Sequence, residues 1–319
     1  MIMNNILKAI KDSKNIAITF HASPDGDSLG SATALLQGLR ALNKEAYILC
    51  KETVPENFKY LPLSSEITGE NYEVQEATEL VIVLDCGDFK RINADIDKDN
   101  RSYTLVNIDH HLSNEMYGDY NFVDTNAAAV GEIVYQMLQL LSVKLTKDMG
   151  ISLYTSLLTD TGSFRHSNTT SVTHTIAGDV INTGIDFSEI HRTIFDNKKF
   201  NRVKLYGKVI DSMTLELNGN VVFMYITKAM LEELGLESSD TSDVLIYGSM
   251  IQGVEVVVLI KESDEGVKVS LRSKNIVDVR TIAEGFNGGG HIRAAGFAFE
   301  GSVSTIKSKL MEILEKELI

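Results

Sequence analysis

Cysteine is scarce in this chain. Cys50 and Cys86 are the only two among 319 residues, and they form no spaced pair. A disulfide framework and a thiolate metal site are both excluded, and Cys86, although it adjoins Asp85, reads as a small core thiol. Long apolar runs are missing too. The longest, VIVL at 81–84 and VVVLI at 256–260, fall far short of the roughly 20 residues of a membrane span. The N-terminal stretch MIMNNILKAIKDSKN has no secretory apolar region and no small-residue cleavage signal; its Ile6, Leu7 and Ile10 fit one face of a first helix. These absences predict a cytoplasmic protein with no membrane association. Internal repeats and low-complexity tracts are also lacking.

Positive charge is in deficit. Thirty Lys and Arg face 44 Asp and Glu, a net charge of −14. Long nucleic acid gains its affinity mainly from basic patches that release counterions, so such a partner is excluded, and no basic-aromatic track for long single strands is present. A small anion drawn into a metal-filled pocket remains compatible, because the cations there supply the attraction. The length suits two domains.

The pattern along the first half alternates strand and helix. Residues 15–20 (NIAITF), 46–50, 80–84 and 103–108 read as strands, and 28–42, 129–141 and 147–158 as helices with one apolar face; a further helix, capped by Ser171, ends at Gly184. Near-continuous apolar strands alternating with helices imply an α/β fold with a doubly wound parallel sheet covered on both faces. The expected boundaries are residues 1–185 for this domain, 186–212 for a helical linker whose Lys198, Lys199, Arg202 and Lys204 form a solvated face, and 213–319 for a smaller α/β domain. In the last, 221–226, 254–260 and 267–271 read as strands, and 228–234, 278–284 and 305–318 as helices.

Chemistry concentrates in four short segments, each after an apolar run or a helix: His21-Ala22-Ser23-Pro24-Asp25-Gly26-Asp27-Ser28, Leu84-Asp85-Cys86-Gly87-Asp88, Asp109-His110-His111 and Thr159-Asp160-Thr161-Gly162. Taken singly, each is a good turn or helix cap. Taken together, they place carboxylates and imidazoles at one edge of a parallel sheet, where ligands bind in open α/β folds. Carboxylate oxygen and imidazole nitrogen suit a hard divalent cation. Asp25, Asp27, Asp85 and Asp160 bring four negative charges, which two divalent cations balance. The remaining histidines, His166, His174 and His191, sit in polar helical surroundings and read as surface or structural residues.

The four segments, followed downstream by Gly288-Gly289-Gly290-His291-Ile292-Arg293-Ala294-Ala295-Gly296, resemble the DHH phosphoesterase superfamily with its C-terminal DHH-associated domain. The resemblance spans nearly the whole chain and rests on five motifs in order. It implies that His21, Asp25 and Asp85 hold one metal ion and that Asp27, Asp85, His110 and Asp160 hold another, with Asp85 bridging. Asp109 would orient a ligand, and His111 would face the substrate phosphate. The implied cofactor is a pair of divalent ions, most commonly Mn²⁺ in the family, which ready a solvent molecule for attack on phosphorus. Asp85, Asp109, His110 and His111 form the expected catalytic set.

The resemblance further implies that the second domain closes over the first and selects the substrate. Gly288, Gly289 and Gly290 would let backbone amides approach an anion, and His291, Arg272 with Ser273, and Arg165 of the first domain would contact substrate. The two-domain length resembles the short bacterial branch acting on very short RNA (nanoRNA) and on 3′-phosphoadenosine 5′-phosphate (pAp). Relatives that hydrolyse cyclic di-AMP or its linear product pApA are the alternative. RecJ-like exonucleases, which add nucleic-acid modules, and family II pyrophosphatases, whose second domain carries another signature, rank below. A non-catalytic nucleotide-binding module ranks last, since no expected ligand position is missing. A homodimer is the assembly expected.

Overall fold

The computed structural model describes residues 2–237 and 242–318, and the chain divides into two units, Met1–Asn197 and Lys198–Ile319. The first contains α1 (Ile2–Asp12), β1 (Asn15–Thr19), α2 (Gly26–Ala41), β2 (Glu45–Ile48), β3 (Leu80–Leu84), β4 (Thr104–Asp109), β5 (Tyr120–Val123), α3 (Val130–Leu140), α4 (Lys147–Asp160), α5 (Ser171–Ile181) and α6 (Phe187–His191). Its sheet runs in the order β2-β1-β3-β4-β5, with every neighbouring pair parallel. Strand β5 was not expected from sequence. Its four residues are all half-buried, so this edge strand lacks the apolar run that marks β3, buried throughout.

Both faces of this sheet are covered, but differently. Ile16, Ile18, Ile82, Leu84 and Ile108 join α1 through α6 in one large core. Ala17, Val81, Val83 and Leu105 face Cys86, Ile92, Ala94 and Tyr117. This second cover is irregular chain, because the connections from β2 to β3 and from β3 to β4 contain only short 3₁₀ turns. Helix α5 is capped one residue earlier than expected: the Thr170 hydroxyl accepts from the amides of Val172 and Thr173.

The strand order reverses direction between β1 and β3, since β2 lies on one side of β1 and β3 on the other. In open α/β sheets the crevice beyond the carboxyl ends of strands at such a switch point is where ligands bind. Helices α2 and α4 meet closely beside it. A Cβ on Gly30 would stand 2.5 Å from the Ser152 carbonyl oxygen, and one on Gly26 would stand 2.4 Å from Thr159 Cγ2. Glycine therefore sets the distance between the helices that carry Asp27 and Asp160.

The second unit contains α7 (Phe200–Asp211), β6 (Thr214–Glu216), β7 (Val221–Ile226), α8 (Lys228–Leu234), α9 (Leu245–Ser249), β8 (Val256–Ser263), β9 (Gly266–Ser273), α10 (Val279–Glu284), β10 (Gly289–His291), β11 (Ala294–Phe299) and α11 (Val303–Glu317). Its mixed sheet runs β10-β11-β9-β8-β7-β6, parallel only between β7 and β8. Val256, Val258 and Leu271 pack on α10 and α11, while Val222, Met224 and Val257 pack on α7, α8 and α9. In α7 the basic cluster departs from a purely solvated face: the Arg202 guanidinium pairs with Asp243, with its own ring neighbour Tyr206 at 5.7 Å.

Replacing Gly30 by alanine forces a methyl group against a backbone carbonyl that cannot rotate away. Overpacking of this kind costs about 1–3 kcal/mol. Chemical denaturation of Gly30→Ala is expected to show that loss, and an unchanged midpoint would contradict the close approach of α2 and α4.

Candidate metal centre

Every apolar strand that points at the switch point ends in a polar residue. Strand β1 runs into His21 and the turn that starts α2, β3 into Asp85, and β4 into Asp109, His110 and His111. Asp160 is the last residue of α4. Asp85 adopts a left-handed backbone conformation, φ 54°, which a residue with a Cβ takes up only at a cost of about 1–3 kcal/mol. Here it turns the carboxylate off the end of β3 and into the crevice.

Asp85 stands at the middle of the cluster. Its Oδ2 lies 3.3 Å from His21 Nε2, and its Oδ1 lies 3.6 Å from His110 Nε2. On the first side, His21 Nε2 also lies 3.5 Å from Asp25 Oδ2. On the second, His110 Nε2 lies 3.8 Å from Asp27 Oδ2 and 3.6 Å from Asp160 Oδ2. Two sets able to hold a cation result, His21 with Asp25 and Asp85, and Asp27 with His110 and Asp160; Asp85 reaches His110 as well, within a third set that includes Asp109 and His111.

Both imidazoles are turned so that Nε2 points inward. His21 Nδ1 donates to the Ala22 carbonyl at 2.9 Å, and His110 Nδ1 donates to the Ala127 carbonyl at 3.1 Å. A proton fixed on Nδ1 leaves the Nε2 lone pair for a metal. Asp109 does a different job from the other carboxylates. Fully buried, it accepts from the His110 amide and from His111 Nδ1, each at 2.8 Å, and from Asn114 Nδ2 at 2.6 Å. It is thereby occupied in fixing the turn that carries both histidines, and the exposed His111 ring is held by one nitrogen.

Asp27 is held most firmly. It does not cap its own helix, where Asp25 is the N-cap. It reaches instead to the start of α3, accepting from the Val130 amide at 2.8 Å, the Gly131 amide at 3.2 Å and the Ser156 hydroxyl at 2.6 Å. The residue at the N-cap of α3 is Ala129, which has no capping side chain, so Asp27 satisfies that helix's open amides from another segment.

Electrostatics show what this cluster demands. Burial, with the charges of Asp85 and Asp160 beside it, pushes Asp27 well above the usual carboxylate range. Burial likewise raises Asp85 and lifts Asp160 to about 6, with Asp85 and Asp25 contributing. Burial alone would lower His21, but its hydrogen bonds to Asp25 and Asp85 outweigh that and carry it to about 10. Left to itself, the cluster tolerates its charge only by taking up protons. Divalent cations relieve the same repulsion. The donor chemistry fits them, and so does Asp85 Oδ1, a buried oxygen with no hydrogen-bond partner.

Comparison with known proteins identifies the family. Residues 15–159 match the model of the DHH family, N-terminal domain, and residues 218–317 match that of the DHHA1 domain. The bifunctional oligoribonuclease and PAP phosphatase NrnA of Bacillus subtilis is 31% identical over 298 residues, 91% of each chain. The chain belongs to the DHH family of phosphoesterases. The protein of the same name from Thermus thermophilus is 30% identical across 98% of this chain and 92% of its own. Among solved structures, an exopolyphosphatase-related protein from Bacteroides fragilis superposes with a TM-score of 0.90 at 25% identity, covering 99% of this chain and 96% of that one. Among the described residues, no helix is long and apolar enough to cross a membrane.

The remaining expected residues of this DHH protein are distributed as follows. Arg165 is exposed and its Nε donates to the Gly162 carbonyl at 2.9 Å, in the turn after Asp160. In the second unit the glycine-histidine motif is a hairpin, not an open loop. His291 pairs with Ala294, and Ala294 with Arg272. Directly paired residues share a sheet face, so His291 and Arg272 stand on one side, two strands apart, with Gly289, Gly296, Ser270 and Lys268. Gly288 and Gly290 are glycines for packing: a Cβ would stand 2.3 Å from the Gly296 carbonyl oxygen in one case and 2.4 Å from that of Ala294 in the other. At Gly289 nothing lies within 4 Å of where a Cβ would stand, so of the three it alone has open space beside its Cα. Ser273 does not join this face. It pairs with Val256, and its hydroxyl donates to the Val277 carbonyl at 2.6 Å.

Sequence reasoning missed Asn114, Ser156 and Asn168. Each is an uncharged residue whose importance comes from what it holds: Asp109, Asp27, and the carbonyls of Asp160 and Ala128 respectively. Only Asn114, a few residues after the Asp109-His110-His111 turn, carried any positional signal.

Thermal unfolding tests the centre. With Mn²⁺ about a hundredfold above its Kd, stability is expected to rise by ~2.7 kcal/mol. Asp85→Asn removes the carboxylate that both sets share, so it is expected to erase the metal-induced increment. No response to Mn²⁺ in the unsubstituted protein would contradict a cation centre.

Proposed function

We propose that this DHH protein is a Mn²⁺-dependent cytoplasmic phosphohydrolase that releases 5′-mononucleotides from very short oligoribonucleotides and dephosphorylates pAp. The observation that carries this reading is the Asp85 carboxylate, with one oxygen toward the His21 set and the other toward the His110 set. The substrate assignment is supported by the two relatives named as bifunctional oligoribonuclease and PAP phosphatase.

In this reading His21, Asp25 and Asp85 hold one divalent ion, and Asp27, Asp85, His110 and Asp160 hold the other. When bound, such a pair supplies a solvent nucleophile at neutral pH and neutralises charge on the phosphorus oxygens. The protein's own groups do the rest. Asp109, through Nδ1, fixes the His111 ring, which presents Nε2 to the substrate phosphate. Arg165 offers a planar, permanently charged fork for phosphate oxygens. Arg272, His291 and Gly289, with open space beside its Cα, share one face of the second unit's sheet and serve as its phosphate contacts. Ser273 is not retained among them, because its hydroxyl is committed to the Val277 carbonyl.

The test is turnover of a ribo-dinucleotide, pAp and cyclic di-AMP, each with Mn²⁺ and with chelator. Mononucleotide from the first and inorganic phosphate from the second are expected, both abolished by chelator and by Asp85→Ala. Arg272→Ala is expected to raise KM roughly tenfold or more, the size of loss when one charge-assisted phosphate contact worth about 1.5–3 kcal/mol is removed. Turnover of the cyclic compound alone would replace this reading with that of a cyclic-dinucleotide phosphodiesterase, and turnover of none would end it.

A further inference from the structure

The turn after Asp160 is left-handed over three consecutive residues. Gly162, Ser163 and Phe164 have φ of 54°, 63° and 60°, and two of them carry a Cβ. Left-handed backbone of this kind persists only where its surroundings enforce it. Three histidines read from sequence as surface or structural residues gather here. The His166 ring fills the space where a Gly162 Cβ would stand, His174 stacks on Phe164 with ring centres 5.3 Å apart, and His191 Nε2 lies 3.0 Å from Ser163 Oγ.

His191 differs from the other two because it reaches the turn from farthest along the chain, through a side-chain hydrogen bond to Ser163, and is itself held. It ends α6, and a turn of π-helix, Arg192–Asp196, follows. That wider turn brings residues four and five positions on back beside it. The Phe195 ring centre lies 5.0 Å from that of His191, and Asp196 Oδ2 lies 3.6 Å from His191 Nδ1. π-Helical turns are uncommon and are found frequently at functional sites.

Ser163, His191 and Asp196 thus line up in the manner of a nucleophile, base and orienting acid, beside a cavity of about 280 Å³ lined also by Tyr154, Phe164 and Phe187. An acyl-transfer centre also needs backbone donors for an oxyanion. They are absent here, because the amides of Ser163, Phe164 and Arg165 are all spent within the turn, on the Leu158 carbonyl, the Thr161 hydroxyl and the Thr161 carbonyl. The alignment is a clamp.

We propose that His191 is a positioning residue: through Ser163 it holds the left-handed turn that begins one residue after Thr161, and so fixes Asp160 on one side and Arg165 on the other. The proposal rests on the reading of Asp160 as a metal ligand. Groups hydrogen-bonded directly to a metal ligand are worth 10–100-fold in affinity or activity, and His191, one residue further removed, is assigned the lower end of that range.

The test measures Mn²⁺ affinity by titration calorimetry, thermal unfolding in chelator, and kcat and KM on a ribo-dinucleotide, for the full chain and for His191→Ala, His191→Gln and Ser163→Ala. Expected are a roughly tenfold or greater weakening of Mn²⁺ binding in the two alanine variants, a fall in kcat larger than any rise in KM, and recovery of half or more of both in His191→Gln, whose amide can still bond Ser163. Mn²⁺ affinity within twofold of the unsubstituted protein in His191→Ala would overturn the proposal, as would a loss that His191→Gln fails to recover. If the unsubstituted protein binds Mn²⁺ but leaves the dinucleotide intact, the functional reading falls, and the affinity comparison still decides the role of His191.

Discussion

A buried carboxylate placed between two imidazoles governs the first unit. Asp85 is 3% exposed, and a carboxylate at such depth is stable only when paired, protonated or bound to a cation. Both of its oxygens face ring nitrogens, and those nitrogens face further carboxylates. Much of the surrounding architecture can be read as support for that placement. The His21 and His110 rings are turned by the Ala22 and Ala127 carbonyls. Asp27 is anchored at the start of α3, where open amides and the helix dipole favour a negative charge. Glycines on α2 let α4 come close enough for Ser156 to reach Asp27.

The positions of the clustered carboxylates and imidazoles were legible in the sequence because each interrupts an apolar pattern at a predictable place. A buried parallel strand is a run of apolar residues, and the polar residue that ends it lies at the carboxyl edge by necessity. His21, Asp85, Asp109 and His110 all follow this rule, so periodicity located both the strands and the crevice. The support was not legible for the converse reason. Ser156 lies mid-helix with no mark to separate it from Ser152, and Asn168 acts through carbonyls that any loop could present. Strand β5 carries no apolar run. The cap of α5 fell on Thr170 instead of Ser171, two adjacent hydroxyl residues that sequence alone treats as equivalent.

Register explains the second unit's outcomes. Side chains alternate across a strand, so neighbours in sequence face opposite ways. Arg272 and Ser273 look like one polar pair in the sequence and are on opposite sides of the sheet, one aligned with His291 and the other tied to Val277. The glycine triplet divides in the same manner. Two members are demanded by the approach of β11, and the third leaves open space. Lys268, Arg272 and His291 thereby gather on one face in a chain whose net charge is −14.

Among the described residues left-handed backbone occurs at several turns, and two of those places adjoin the carboxylate-imidazole cluster. Asp85 and the 162–164 turn both hold left-handed backbone, and each lies at the carboxyl end of an element that is otherwise regular, β3 in one case and α4 in the other. The two differ in what enforces them. Asp85 is locked by the sheet, its amide donating to the Ile108 carbonyl of the neighbouring strand, so its conformation is as durable as the core. The 162–164 turn has no sheet neighbour. Beyond its own helix-end hydrogen bonds, it is held by rings and one hydroxyl, from His166, His174 and His191, contacts that belong to the surface of the unit. Asp85, fixed by the core, and Asp160, which leads into a turn of surface contacts, therefore differ in what holds them, and the Asp160 side of the cluster rests on the less durable contacts. Substitutions that soften the centre without unfolding the unit are to be sought around the histidines and the π-helical turn, not in the strands.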